Sequence, residues 1–253
     1  MRRCRELSTA DCPEHSECKG GRVKEIIEKA WLVPLGFVNG VLLEGDDGGL
    51  VLIDAGFPKH EAAIFDAVTA LGRQPEDLRH LVFTHAHPDH IGSAAAVIQR
   101  TGAETWMHPT DTPIAASGGP FRPMRPSPGL PQRIGYRVFW RPNEPVTPVR
   151  IDHEINDGET LPVAGGLEVI HTPGHSAGHV SLMWQGARML IVGDVGSNVA
   201  GVSDPLGFED RELGRHSQRR LASLNFQAAA FGHGRAIPRD ATARVRRAWD
   251  SST

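Results

Sequence analysis

The stretch Thr84-His85-Ala86-His87-Pro88-Asp89-His90 puts four metal-competent side chains, His85, His87, Asp89 and His90, within six positions. A closed zinc site takes about four ligands and a catalytic one about three, so four groups this close cannot all serve one ion that keeps a position open. A loop can send alternate side chains to two neighbouring ions, and the spacing therefore asks for a dinuclear site. The run also marks a joint in the fold. Apolar residues 80–84 precede it as a strand, and a helix over 91–102 follows and closes on a glycine.

Working outward, the same arrangement recurs. Leu50-Val51-Leu52-Ile53 leads to Asp54, residues 167–172 lead to His175, 189–193 to Asp194, and 228–232 to His233. Five apolar strands thus each end in a metal-binding or acid-base residue. In layered α/β proteins the carboxyl ends of strands open on the ligand crevice, so these side chains are expected on one rim. The other expected elements are strands over 30–35, 38–44, 104–108 and 179–185, a turn over 45–49, and helices over 58–72, 209–225 and 238–251. Alternation of strands and helices gives an α/β fold class.

Residues 109–150 read differently. They carry 10 of the 19 prolines together with Arg122, Arg125, Arg133, Arg137, Arg141 and Arg150, and are expected to be an irregular insertion that forms a lid or substrate wall. Residues 1–22 read as a flexible leader without periodicity. Cys4, Cys12 and Cys18 all lie there, and an odd count in a polar segment is a poor disulfide framework. A small zinc knuckle with His15 is the alternative. One domain is expected over 23–253, with the Pro-rich insertion 109–150 inside it.

Composition narrows the class. The chain has 253 residues, 40% of them hydrophobic and 23% charged, which suits a globular protein. Its net charge of −3 offers no electrostatic footprint for nucleic acid or an anionic membrane, so the expected partner is a small molecule. No run approaches the roughly 18 to 20 apolar residues of a membrane span, and the first residues lack an apolar signal core. The expected location is cytoplasmic.

Taken together, Leu52-Ile53-Asp54-Ala55-Gly56, the H-x-H-x-D-H run, Thr172-Pro173-Gly174-His175-Ser176-Ala177-Gly178-His179, Val192-Gly193-Asp194 and Phe231-Gly232-His233-Gly234 resemble the metallo-β-lactamase superfamily, in the family's order. The resemblance implies a four-layer αββα sandwich. It implies two divalent ions, zinc foremost with iron or manganese also suited: one on His85, His87 and His175, a second on Asp89, His90 and His233, with Asp194 bridging. Asp89 would also relay a proton, and Asp54 would steady a ligand histidine or the 85–90 loop. His179 looks structural, and His108, His153, His171 and His216 look like surface or satisfied core residues. The basic helix around Arg211, Arg215, Arg219 and Arg220 reads as a solvated face.

Within the superfamily, the residues favour the branch of glyoxalase II, lactonases and related thioesterases, because Asp194 is a carboxylate. The expected reaction is hydrolysis of an ester, thioester or lactone by a metal-bridging hydroxide. Glyoxalase II carries a further C-terminal helical region, whereas about 20 residues follow His233 here. Quorum-quenching lactonases usually carry a Tyr where this chain has Ser197, and the only tyrosine, Tyr136, lies in the insertion. The alternatives are a mononuclear iron persulfide dioxygenase, a promiscuous β-lactamase and a non-catalytic metal-binding member.

Overall fold

The computed structural model describes residues 23–250; the expected leader, with its three cysteines, lies outside them. Four strands open the chain as consecutive antiparallel hairpins: β1 (Lys24–Ile27), β2 (Ala30–Leu35), β3 (Val38–Glu44) and β4 (Leu50–Ile53). Then come α1 (Glu61–Ala70), β5 (Leu78–Val82), α2 (Pro88–Ile91), α3 (Ala94–Thr101) and β6 (Glu104–Met107). The expected insertion holds α4 (Thr112–Ser117), β7 (Arg125–Pro126) and α5 (Leu130–Phe139), and β8 (His153–Glu154) follows it. The second half runs β9 (Thr160–Leu161), β10 (Leu167–His171), β11 (Val180–Trp184), β12 (Met189–Ile191), β13 (Gly207–Phe208), α6 (Arg211–Ser223), β14 (Ala228–Ala230) and α7 (Ala241–Trp249).

Two main sheets result, ordered β1-β2-β3-β4-β5-β6-β8 and β14-β12-β11-β10-β9. Both are buried on both faces, and the alternation of side chains along each strand generates the layers. In β4, Leu50 and Leu52 pack outward with Ile64 and Val68 of α1, whereas Val51 and Ile53 face the second sheet. In that sheet, Val169, Leu182 and Ile191 meet them, while Ile170, Leu190 and Ala229 turn to Leu221 of α6 and to Val245 and Trp249 of α7. Helices, sheet, sheet, helices: the chain folds as the four-layer αββα sandwich. Among the described residues no helix is long and apolar enough to cross a membrane.

Strand direction aligns the rim. β4 runs parallel to β5, with Ile53 opposite Val82, and β12 runs parallel to β14, with Ile191 opposite Ala230. The residues just beyond each pair therefore emerge side by side. The two sheets are tied at that rim by the Val180 amide, which donates to the Thr84 carbonyl at 2.8 Å, and by Asn39, whose amide donates to the Gly232 carbonyl at 2.8 Å.

Three expectations change. The helix after the histidine run begins inside it, because Pro88 at the first helical position pre-sets φ; α2 breaks at Gly92, where a Cβ would meet Pro58 at 2.4 Å. Residues 109–150 are not wholly irregular: besides two helices, they send Ala115, Phe121, Val146 and Val149 into the outer core. The basic face of α6 is not simply solvated, since Arg220 donates to the His171 carbonyl and pairs with Asp157, and Arg215 pairs with Asp204.

Packing of this kind predicts a contrast. Leu182→Ala, between the sheets and fully buried, should lower unfolding free energy by about 2–5 kcal/mol. Leu213→Ala, on the exposed face of α6, should stay within about 0.5 kcal/mol of the parent by the same denaturant titration.

Candidate metal centre

His85 follows β5 by three residues, His87 stands at the N-cap position of α2, and Asp89 and His90 sit on that helical turn. His175 comes from the loop between β10 and β11, Asp194 follows β12, and His233 follows β14. The rim brings all seven together. His87 Nδ1 lies 2.9 Å from His85 Nε2 and 3.0 Å from His175 Nε2. On the other side, Asp89 Oδ2 lies 3.4 Å from His233 Nε2 and 3.8 Å from His90 Nε2. Between these groups, Asp194 Oδ2 approaches His233 Nε2 at 3.0 Å, His175 Nε2 at 3.6 Å and His90 Nε2 at 3.7 Å.

Hydrogen bonds fix which ring nitrogen faces inward. A backbone carbonyl only accepts, so His175 donates from Nδ1 to Gly207 at 2.8 Å, and His233 donates from Nδ1 to Phe37 at 2.7 Å. His90 Nδ1 donates to Asp54 Oδ2 at 2.9 Å. The Thr84 hydroxyl donates to the same carboxylate at 2.8 Å, which leaves its oxygen to accept from His85 Nδ1 at 2.9 Å. Four imidazoles therefore turn Nε2 toward the centre, and outer partners of this type are what orient metal-binding histidines.

The donor chemistry suits cations. His90 Nε2, which faces Asp89 and Asp194 across the cluster, is buried without a hydrogen-bond partner, an arrangement that is costly unless another ligand satisfies it. Burial, reinforced by neighbouring imidazoles, drives the pKa values of His85 and His87 well below the ordinary histidine range, so both are neutral donors. The second group is rich in carboxylate. Burial opposes charge on His90, yet Asp54, Asp194 and Asp89 overcome it and raise its pKa; His233, beside Asp194 and Asp89, rises despite burial to about 10. Burial likewise disfavours ionised Asp194, and the adjacent His233 and His90 more than reverse that. Three groups of ligand atoms close enough for one ion follow from this packing: His85, His87 and His175; His85, His90 and Asp194; Asp89, His90 and His233.

Asp54 does not face the cleft. It adopts φ of +62° at the end of β4, which turns its carboxylate under the rim. There it accepts from the Thr84 amide at 2.8 Å, the Thr84 hydroxyl and His90, so it holds both the strand that carries His85 and the His90 ring. His179 stands outside the cluster: the Asp194 amide donates to its Nε2 at 2.8 Å, and its Nδ1 bonds the Thr172 hydroxyl at 2.9 Å. Gly232 packs so tightly under the site that a Cβ would lie 2.0 Å from Asp194 Oδ1. His108 and His171 stack on each other at 4.2 Å, and His153 stacks on Trp106 at 3.9 Å, away from the cluster.

Above the cluster lies a cleft of about 450 Å³. Its walls are apolar: Phe37 at the tip of the β2–β3 hairpin, Phe57, Met124, Phe139, Trp140 and Val199. Phe37 meets Phe139 at 4.5 Å, and Trp140 packs edge-on against His87 at 4.9 Å. Tyr136 also lines it, but its hydroxyl donates to the Met124 carbonyl at 2.7 Å; Ser197 bonds Ser203 at 3.1 Å. One participant escaped the reading of the sequence. Asn39 holds the His233 loop through bonds from its side chain to the carbonyls of Phe231 and Gly234, and a lone amide inside an apolar strand was the available sign.

Removing the Asp54 carboxylate should be costly for stability. Asp54→Ala leaves the Thr84 amide and the His90 ring nitrogen buried without an acceptor, for a loss of about 3 kcal/mol or more in denaturant titrations with chelator present. Asp54→Asn, which keeps one acceptor oxygen, should recover part of it.

Comparison with known proteins agrees with this architecture. A family model described as the metallo-beta-lactamase superfamily matches residues 33–245. A Bacillus subtilis protein described as probable metallo-hydrolase YflN is 27% identical over 214 residues, covering 77% of this chain and 78% of its own. An N-acyl homoserine lactonase of Bacillus cereus is 25% identical over 223 residues, covering 76% and 79%. Among solved structures, a beta-lactamase from Chitinophaga pinensis superimposes with a TM-score of 0.70 at 20% identity, over 96% of each chain. Since the matched span runs from a residue of β2 to one of α7 and takes in the whole rim, the chain belongs to the metallo-β-lactamase superfamily.

Proposed function

We propose that this chain is a dinuclear metal-dependent hydrolase that cleaves an ester, thioester or lactone of a small, partly apolar molecule. The carrying observation is Asp194 Oδ2, one carboxylate oxygen within reach of histidines from both ligand groups. In this reading His85, His87 and His175 would hold one ion, Asp89, His90 and His233 would hold the other, and Asp194 would serve both. When bound, two divalent ions, zinc foremost, supply Lewis acidity that acidifies water and polarises a carbonyl.

The chain's own residues do the rest. Asp89, at the edge of the cleft and only 18% exposed, is kept ionised despite its burial by His90 and His233, and its carboxylate takes a proton from the attacking water and returns it to the leaving group. Asp54 acts through Thr84 and His90 without touching substrate. Phe37, Phe139, Trp140 and Val199 exclude water and receive the apolar part of the substrate. Residues 109–150 supply Met124, Phe139 and Trp140 to that wall, so the insertion belongs to the single domain as its substrate-facing side. The N-acyl homoserine lactonase relatives support, within that range, an acyl compound that carries a lactone.

Two measurements test this. Elemental analysis should find two divalent ions per chain, and Asp194→Ala should hold one or fewer and lose most hydrolysis in a panel of lactones, thioesters, aryl esters and β-lactams; chelator should abolish turnover. A single iron with thiol-dependent oxygen uptake and no hydrolysis would overturn the proposal in favour of a dioxygenase. Separately, Phe139→Ala should raise KM for long-chain acyl substrates by about tenfold while leaving short-chain turnover nearly unchanged, as expected for the loss of one aromatic wall that the substrate would cover.

A further inference from the structure

Apart from the ligands, one buried carboxylate touches both loops that supply the first ligand group. Asp111, fully buried just before α4, accepts from the amide of Ala86, the residue between His85 and His87, at 2.9 Å. It also accepts from the Ser176 hydroxyl at 2.8 Å and the Gly178 amide at 3.1 Å, on the segment that follows His175. The approach is close enough to require glycine: a Cβ on residue 178 would lie 2.4 Å from Asp111 Oδ1. Arg122 completes the unit. Its guanidinium pairs with Asp111, donates to Ser176 at 3.1 Å, and reaches both oxygens of Glu209 at 3.0 Å, while Glu209 accepts from the Ala177 amide at 2.9 Å. Ser176, Ala177 and Gly178 are thus each anchored to this unit.

We infer that Asp111, with Arg122 and Glu209, is a positioning unit that sets the distance between the His85–His87 loop and the His175 loop, and so tunes the first ligand group for its ion. His85 and His87 come from the first sheet and His175 from the second, so nothing in either sheet alone fixes their separation. A shared anion with donors from both loops does so. The second group does not touch this unit: the Phe37 carbonyl stands behind His233, and Asp54 holds His90 while reaching His85 through Thr84. Because Arg122 lies in the 109–150 segment, the substrate wall is held by the same unit. This inference rests on the reading of the two groups as metal sites.

The test follows zinc titration of the full chain by ¹⁵N-histidine NMR with a competing chelator, which reports His85, His87 and His175 separately from His90 and His233. Asp111→Asn should weaken binding at the first group about 10- to 100-fold, the effect typical of losing an outer partner of a ligand, and leave the second within about twofold. Arg122→Gln, on a partly exposed side chain and so safer for folding, should weaken the first group in the same selective sense by a smaller factor. Equal losses at both groups, or lowered melting temperature with unchanged affinity in both variants, would overturn the inference. If the parent's ring nitrogens do not respond to zinc at all, the metal reading itself fails and this one with it.

Discussion

Two sheets buried on both faces leave polar side chains almost nowhere to go. Along β3, β4, β11 and β12 nearly every residue is apolar and inaccessible, and a charge placed there would be unpaired in a medium that penalises it heavily. The ends of the strands escape that constraint, since chain leaves the sandwich there and solvent enters. Parallel pairing of β4 with β5 and of β12 with β14 then places four such ends in register. A rim crowded with histidine and aspartate is the outcome of burying everything else.

Crowding of this kind is stable only when each donor has an acceptor. The outer shell meets that need with unlike means: a carboxylate in a left-handed backbone conformation under His90, main-chain carbonyls behind His175 and His233, a hydroxyl beside His85. The two ligand groups differ accordingly. One is made of neutral imidazoles, the other is governed by aspartates that favour positive charge near His90 and His233.

Much of this was legible in the sequence, for a physical reason. Apolar strands of four to seven residues followed by His or Asp declare both the layers and the rim, and β2, β3 and β4 appear where the pattern puts them. What escaped was whatever depends on partners far along the chain. Asn39 matters because the chain at 231–234 lies against it, and Asp111 because Ala86 and Gly178 converge on it; neither contact leaves a local pattern. The proline-rich segment misled for the opposite reason. Pro113 and Pro131 sit in the first turns of α4 and α5, where proline favours a helix rather than breaking it.

The ties across the rim carry a consequence for how the chain reaches its native state. The Val180 amide meets the Thr84 carbonyl, and Asn39 meets Gly232, across 96 and 193 positions of sequence respectively. Contacts of such range form slowly, because a long loop must close before any reward is felt. Neither ligand group exists until the sheets have docked, so an ion that binds them recognises only the finished sandwich. By mass action that ion would add about 4 kcal/mol of apparent stability at a thousandfold excess over its dissociation constant, and would act as a latch set after folding rather than as a template for it.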